Sequence, residues 1–138
     1  MSEAFCEFTV PVRARGKGRP RFTMKGHAYT DKNTARYEAL IATYAREAMQ
    51  GRQPTECACL VSITAYFLPS ARMKKDERLH VLEFNSPYAK KPDADNILKA
   101  VCDAMNGIVY TDDALVAVTS CGKHYGDYEC VCVRVELL

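Results

Sequence analysis

No stretch of the chain approaches the ~18 consecutive apolar residues of a membrane-spanning helix, and no internal repeat or low-complexity tract is visible. Met1-Ser2-Glu3-Ala4-Phe5 lacks the basic-then-apolar pattern of a secretion signal, so a cytoplasmic location and no membrane partner are expected. Cys-x-x-Cys spacing is also missing, and the seven cysteines are odd in number, which argues against both a disulfide framework and a zinc ribbon. Cys57/Cys59 and Cys130/Cys132 lie in strand-like runs and are read as reduced cysteines serving as small hydrophobes. His27, His80 and His124 have no ligand-like spacing.

What the chain does contain is a globular composition, 48% hydrophobic and 26% charged over 138 residues, enough for one domain with a core. The formal net charge of +2 hides an uneven layout. Residues 11–36 carry eight basic side chains (Arg13, Arg15, Lys17, Arg19, Arg21, Lys25, Lys32, Arg36) against one acid, Asp31. Residues 69–91 carry six (Arg72, Lys74, Lys75, Arg78, Lys90, Lys91) against Asp76, Glu77 and Glu83. Clustered base of this kind is an electrostatic footprint for a polyanion such as DNA.

Residues 3–10 alternate weakly and predict a first strand; Pro11 to Arg21 predicts a basic surface loop. Short runs on either side of Lys25-Gly26, Arg21–Met24 and His27–Thr30, could pair as a small hairpin. A helix follows, capped by Asp31 or Asn33, with Tyr37, Leu40, Ile41, Tyr44, Ala45 and Ala48 at helical spacing and Gly51 as its stop. Cys57 to Leu68 is apolar on both faces, the pattern of an interior strand that ends at Pro69. Residues 70–92 are charged and poorly periodic and predict a mobile surface loop, with at most a turn or two of helix near Ser70–Arg78. A second helix is expected over Ala94–Asn106, with Asp95, Asn96, Lys99, Asp103 and Asn106 on one stripe. Strands over Leu115–His124 and Tyr128–Leu137, joined at Gly126-Asp127, most simply form an antiparallel hairpin. The fold class expected is α+β, a single domain with a mixed β-sheet and two main helices.

The chemistry concentrates in Lys91-Pro92-Asp93-Ala94-Asp95-Asn96-Ile97-Leu98-Lys99 and the later Gly107-Ile108-Val109-Tyr110-Thr111-Asp112-Asp113. Helix capping would account for one of Asp93 and Asp95, and a polar turn for Asp112-Asp113, but not for all four carboxylates around one helix. Clustered aspartates repel each other unless a cation sits between them. An all-oxygen donor set without His or Cys points to Mg²⁺, for which Mn²⁺ can substitute, and such sites hydrolyse phosphodiesters. Lys99, one helical turn after Asp95, is either half of a surface ion pair or an ammonium that stabilises charge on a phosphate. Asn96 can steady a carboxylate or contact substrate backbone; Asp103 reads as solvated or supporting. The lysine follows Asp95 by four positions, not two, which separates the pattern from the acid-x-Lys nucleases.

These residues, with Asp103-Ala104, Lys123 before Tyr125-Gly126, and weaker agreement at Gly18-Arg19-Pro20-Arg21, resemble the RusA family of Holliday junction resolvases over most of the chain. The resemblance implies a small homodimeric Mg²⁺-dependent endodeoxyribonuclease, common in bacteria and prophages, that resolves four-way DNA junctions by paired symmetric nicks in recombination and repair. It implies catalytic roles for Asp93, Asp95, Asp113 and Lys99 and metal ligation by Asp93, Asp95, Asp113 and Asp112; in that setting the basic residues Arg13, Arg15, Lys17, Arg19, Arg21, Lys90, Lys91 and Lys123, with Asn96, are the expected DNA contacts. A flap or fork nuclease, or a DNA-binding protein of the same fold without catalysis, are the alternatives.

Overall fold

The structure, a computed structural model, describes residues 3–18, 21–29 and 31–138. In chain order it contains β1 (Cys6–Val10), β2 (Arg21–Phe22), β3 (Ala28–Tyr29), α1 (Lys32–Met49), β4 (Cys59–Phe67), α2 (Lys75–Glu83), α3 (Ala94–Met105), β5 (Val116–Tyr125) and β6 (Cys130–Leu137). Among the described residues these make an α+β fold with three α-helices, a mixed four-stranded sheet ordered β1-β6-β4-β5, and a separate β2–β3 pair. None of those helices is long and apolar enough to cross a membrane.

One face of the sheet carries the core. Cys59, Val61, Ile63, Ala65 and Phe67 of β4 are buried, as are Val131, Val133 and Val135 of β6 and Cys6, Phe8 and Val10 of β1. Alternation puts these residues on a common side, where α1 and α3 pack over them with Tyr37, Ile41, Ala45, Ile97, Val101 and Met105. Burying each of the larger aliphatic side chains contributes about 1.5–3 kcal/mol. α1 ends where Gln50 turns left-handed, and α3 ends before Gly107, whose φ of 79° suits a residue without a side chain.

The interior position expected of the Cys57–Leu68 run is found: β4 pairs antiparallel with β6 and parallel with β5. The expected terminal hairpin is not. β6 is fully paired, to β1 on one edge and β4 on the other, and its valines suit that interior place. Ala117, Val118, Thr119 and Ser120 of β5 are exposed on both faces, which suits an edge. The connection therefore crosses the end of β4 instead of turning back. Gly126 N–H donates to Phe67 O at 2.9 Å, and a Cβ at Gly126 would stand 3.0 Å from that of Tyr66.

The segment expected as a mobile loop also differs, because it contains the nine-residue helix α2. Val81 is its single buried residue, so no apolar stripe announced it. Asp76 and Glu77 favour its N-terminus, and Tyr88 beyond it stacks on Phe67 at 4.1 Å. The short hairpin and the first strand are found where expected, with Thr30 outside the described residues. All seven cysteines are free; Cys6, Cys59 and Cys130 are buried, the first two within the hydrophobic core.

Candidate active site

α3 positions most of the candidate residues. Its buried side faces α1 and β5, which leaves Asp95, Asn96, Lys99 and Asp103 along the outer stripe. Asp93 is the N-cap, yet its side chain makes no capping hydrogen bond. The carboxylate is 56% exposed and faces Lys91 Nζ at 3.9 Å. Asp95 and Asn96, in the first turn, are exposed as well. Negative charge at this end is favoured by the helix dipole.

Beside Asp93 lies an open cleft of about 440 Å³ lined by Arg13, Arg15, Gly16, Lys91, Pro92, Asp93 and Asn96. The basic loop after β1 forms its far wall. Lys17 N–H donates to Asn96 O at 3.1 Å, and a Cβ on Gly16 would stand 3.0 Å from that of Asn96, so glycine permits the close approach. A larger hollow, about 730 Å³, lies at α2 against Asp127; no basic side chain and none of the expected site residues line it.

Further along the stripe, Lys99 Nζ stands 3.8 Å from Asp103. Asp103 also meets Lys17 Nζ at 3.2 Å, and Lys17 is paired with Glu38 of α1. Burial opposes the charge on Lys17, but the hydrogen bonds it donates to Glu38 and Asp103 hold its pKa above the ordinary lysine value. Asp112 and Asp113 follow a firmly held arm. Tyr110 is fully buried and its hydroxyl donates to Cys102 O at 2.6 Å, while Thr55 and Val109 exchange backbone contact at 2.9 Å. Asp112 Oδ1 accepts from Ala114 N–H at 3.2 Å, the turn-capping role expected of a polar pair. Asp113 has its carboxyl raised above the ordinary range by a hydrogen bond with Asp112, then by partial desolvation and the charges of Asp112 and Asp103, with Lys99 drawing it back.

Every candidate donor is a carboxylate oxygen, the set that suits Mg²⁺ or Mn²⁺. A cation would relieve the Asp112–Asp113 repulsion. Among the described residues no three His, Cys, Asp or Glu side chains stand near enough to one another to hold a metal ion. Mg²⁺ is commonly held by one or two carboxylates with waters and a substrate phosphate, so the pairs at either end of the stripe are a fitting donor set.

The expected DNA contacts divide into two groups. Arg15, Lys90 and Lys91 are exposed. Arg13, although also exposed, donates to Glu129 at 2.7 Å and to Tyr88 Oη at 3.1 Å, and lies over the Phe67 ring. Lys17 is held by Glu38 and Asp103, and Lys123 donates to two backbone carbonyls. Arg19 falls outside the described residues, and Arg21 is described by its backbone in β2. Glu38, Tyr88 and Glu129 escaped the sequence reasoning. Nothing in their local patterns marks them, because each acts on a residue far along the chain.

A family model described as Endodeoxyribonuclease RusA matches residues 11–136 of the 138. No curated protein matches the chain.

Proposed function

The chain belongs to the RusA endodeoxyribonuclease family, and from that premise we propose that it resolves four-way DNA junctions by Mg²⁺-dependent hydrolysis, in paired symmetric nicks, as a homodimer. The observation that carries the reading is the outer stripe of α3. Exposed Asp93 and Asp95 stand at one end, the hydrogen-bonded Asp112 and Asp113 lie near the other, and Lys99 lies between, with a cleft lined by Arg15 and Lys91 beside Asp93.

Asp93 with Asp95 at one end of the stripe, or Asp113 with Asp112 at the other, would hold Mg²⁺ together with waters and a substrate phosphate, and the ion would supply Lewis-acid stabilisation of charge on the scissile phosphate. Lys99 serves in the same step as a fixed ammonium for the developing charge or as an orienter of the attacking water. Asn96, Arg15 and Lys91 bind flanking phosphates, a sequence-independent contact that weakens with salt. A two-fold dimer would present two such sites to a junction that has its own approximate two-fold axis.

The test is cleavage of a synthetic four-way junction with Mg²⁺ omitted and restored. Symmetric nicks that require the metal are expected. Equal rates on junction, flap and plain duplex would instead identify a less selective nuclease. No cutting, with DNA affinity indifferent to Mg²⁺ and Mn²⁺, would identify a DNA-binding protein.

A further inference from the structure

Lys123 sits on β5, where a basic side chain next to the site would ordinarily be assigned to a phosphate. Its ammonium has other partners. Nζ donates to Lys90 O at 2.6 Å and to Pro92 O at 2.9 Å, and stands 5.9 Å from the centre of the Tyr88 ring. An ammonium has three protons and no acceptor capacity. Two are engaged by carbonyls, and the ring lies within reach of the charge. The backbone reinforces this grip: Tyr88 N–H donates to Lys123 O at 3.0 Å, and Tyr125 N–H to Ser86 O at 2.9 Å. Residues 86–92 are thus fastened to β5 by main chain at one end and by the Lys123 side chain at the other. The next residue is Asp93, whose own side chain makes no capping bond to hold it in place.

We infer that Lys123 is a positioning residue: it holds the loop that delivers Asp93 to the site and contacts no phosphate. The inference rests on the proposed role of Asp93 in phosphodiester hydrolysis. Lysine fits the task because its compact head can serve two carbonyls that converge from one strand of loop, and its apolar stem can lie along Tyr88. The carbonyls of Lys90 and Pro92 have no other hydrogen-bond donor among the described residues. Without the ammonium, those two carbonyls just before Asp93 would lose their hydrogen-bond donor among the described residues.

Two measurements decide it. The first compares Lys123→Met with wild type on a synthetic four-way junction. In EDTA, affinity and its salt slope should match wild type, whereas single-turnover cleavage at saturating enzyme with Mg²⁺ should fall at least ~10-fold, a change in the chemical step and not in binding. A salt slope lower by about one would mark a lost phosphate contact and overturn the inference; so would cleavage at the wild-type rate. The second needs no variant. In the wild-type chain, acetylation of Lys123 should be slower than that of Lys91, whose side chain is 89% exposed, and should not change when junction DNA is added. Lys123 reacting as fast as Lys91 and becoming protected by DNA would overturn the inference even if the Met variant does not fold. If wild type itself fails to cut, the hydrolysis reading fails, while the salt slope and the acetylation pattern still decide where the Lys123 ammonium points.

Discussion

At its N-terminal end α3 offers Asp93, whose side chain makes no capping bond and faces a mostly exposed Lys91 at 3.9 Å; eight residues beyond Asp95, Asp103 is already shared between Lys17 at 3.2 Å and Lys99 at 3.8 Å. The same residue types are used in opposite ways. Acids at the first end keep their charge open to solvent and to the cleft. Asp103 at the second end is in a network that reaches α1 through Lys17 and Glu38. The ends are about 12 Å apart along the axis, with Lys99 midway. A carboxylate held only by a long, solvent-exposed ion pair is the cheaper one to offer to a ligand, because little internal bonding must first break. Asp93 is therefore where a change should tell on chemistry, and the Lys17–Glu38–Asp103 group is where a change should tell on stability.

The largest expected effect breaks that comparison at its open end. Asp93→Asn should slow junction cleavage by ~10³-fold, the several kcal/mol that a metal-assisted step supplies. Junction binding in EDTA should be unchanged or tighter, since a negative charge near phosphate is removed. Asp103→Asn should cost far less in rate. Single-turnover assays on both variants check this, and Asp93→Asn cutting within tenfold of wild type would remove Asp93 from the mechanism.

At the closed end, Lys17→Met should destabilise the fold by about 2 kcal/mol, because Glu38 and Asp103 are left as half-buried like charges. The loss is set below that of a fully buried pair because the three side chains keep 20–27% exposure. Urea unfolding measures it. The salt slope of DNA binding should not move, and a fall of about one would mean that Lys17 leaves its carboxylates for a phosphate.

Tyr110→Phe is a smaller probe of the same end. It removes the hydroxyl that donates to Cys102 O and should cost about 1 kcal/mol, with the carbonyl left short of a partner. Because the arm also carries backbone bonds between Thr55 and both Val109 and Thr111, Asp112 and Asp113 should keep their places. A cleavage loss beyond ~10-fold would contradict that division between anchor and site.

Much of this layout was legible in the residues themselves. The stripe of α3 follows from period 3.6, and the buried alternation of β4 from period 2, both local signals. The acidic runs are contiguous, so their position at the two ends of one helix could be read directly. What could not be read depends on distant partners. β5 and β6 look like a hairpin locally, but β6 gains two paired edges by entering between β1 and β4, and Gly126 permits the crossing. α2 has no stripe because Val81 is its one buried residue. The basic loop read as uniformly free, whereas Glu129 claims Arg13 and Glu38 claims Lys17 from 116 and 21 residues away.

That last distinction gives the finest test. Arg13 and Arg15 are two positions apart, line one cleft and are both exposed, yet Arg13 is bound to Glu129 and Tyr88. Charge already neutralised inside the protein releases few counterions on binding, so the two should differ in salt dependence and not simply in affinity. Arg15→Ala should lower the slope of log affinity against log salt by about 0.9 and weaken junction binding severalfold at moderate salt, with cleavage at saturating DNA unchanged. Arg13→Ala should leave the slope near wild type and show its cost in urea unfolding, through the lost ion pair and the packing over Phe67. Equal slopes for the two variants would mean that the Glu129 pair opens when DNA arrives, and the cleft would then count two phosphate contacts on this wall instead of one.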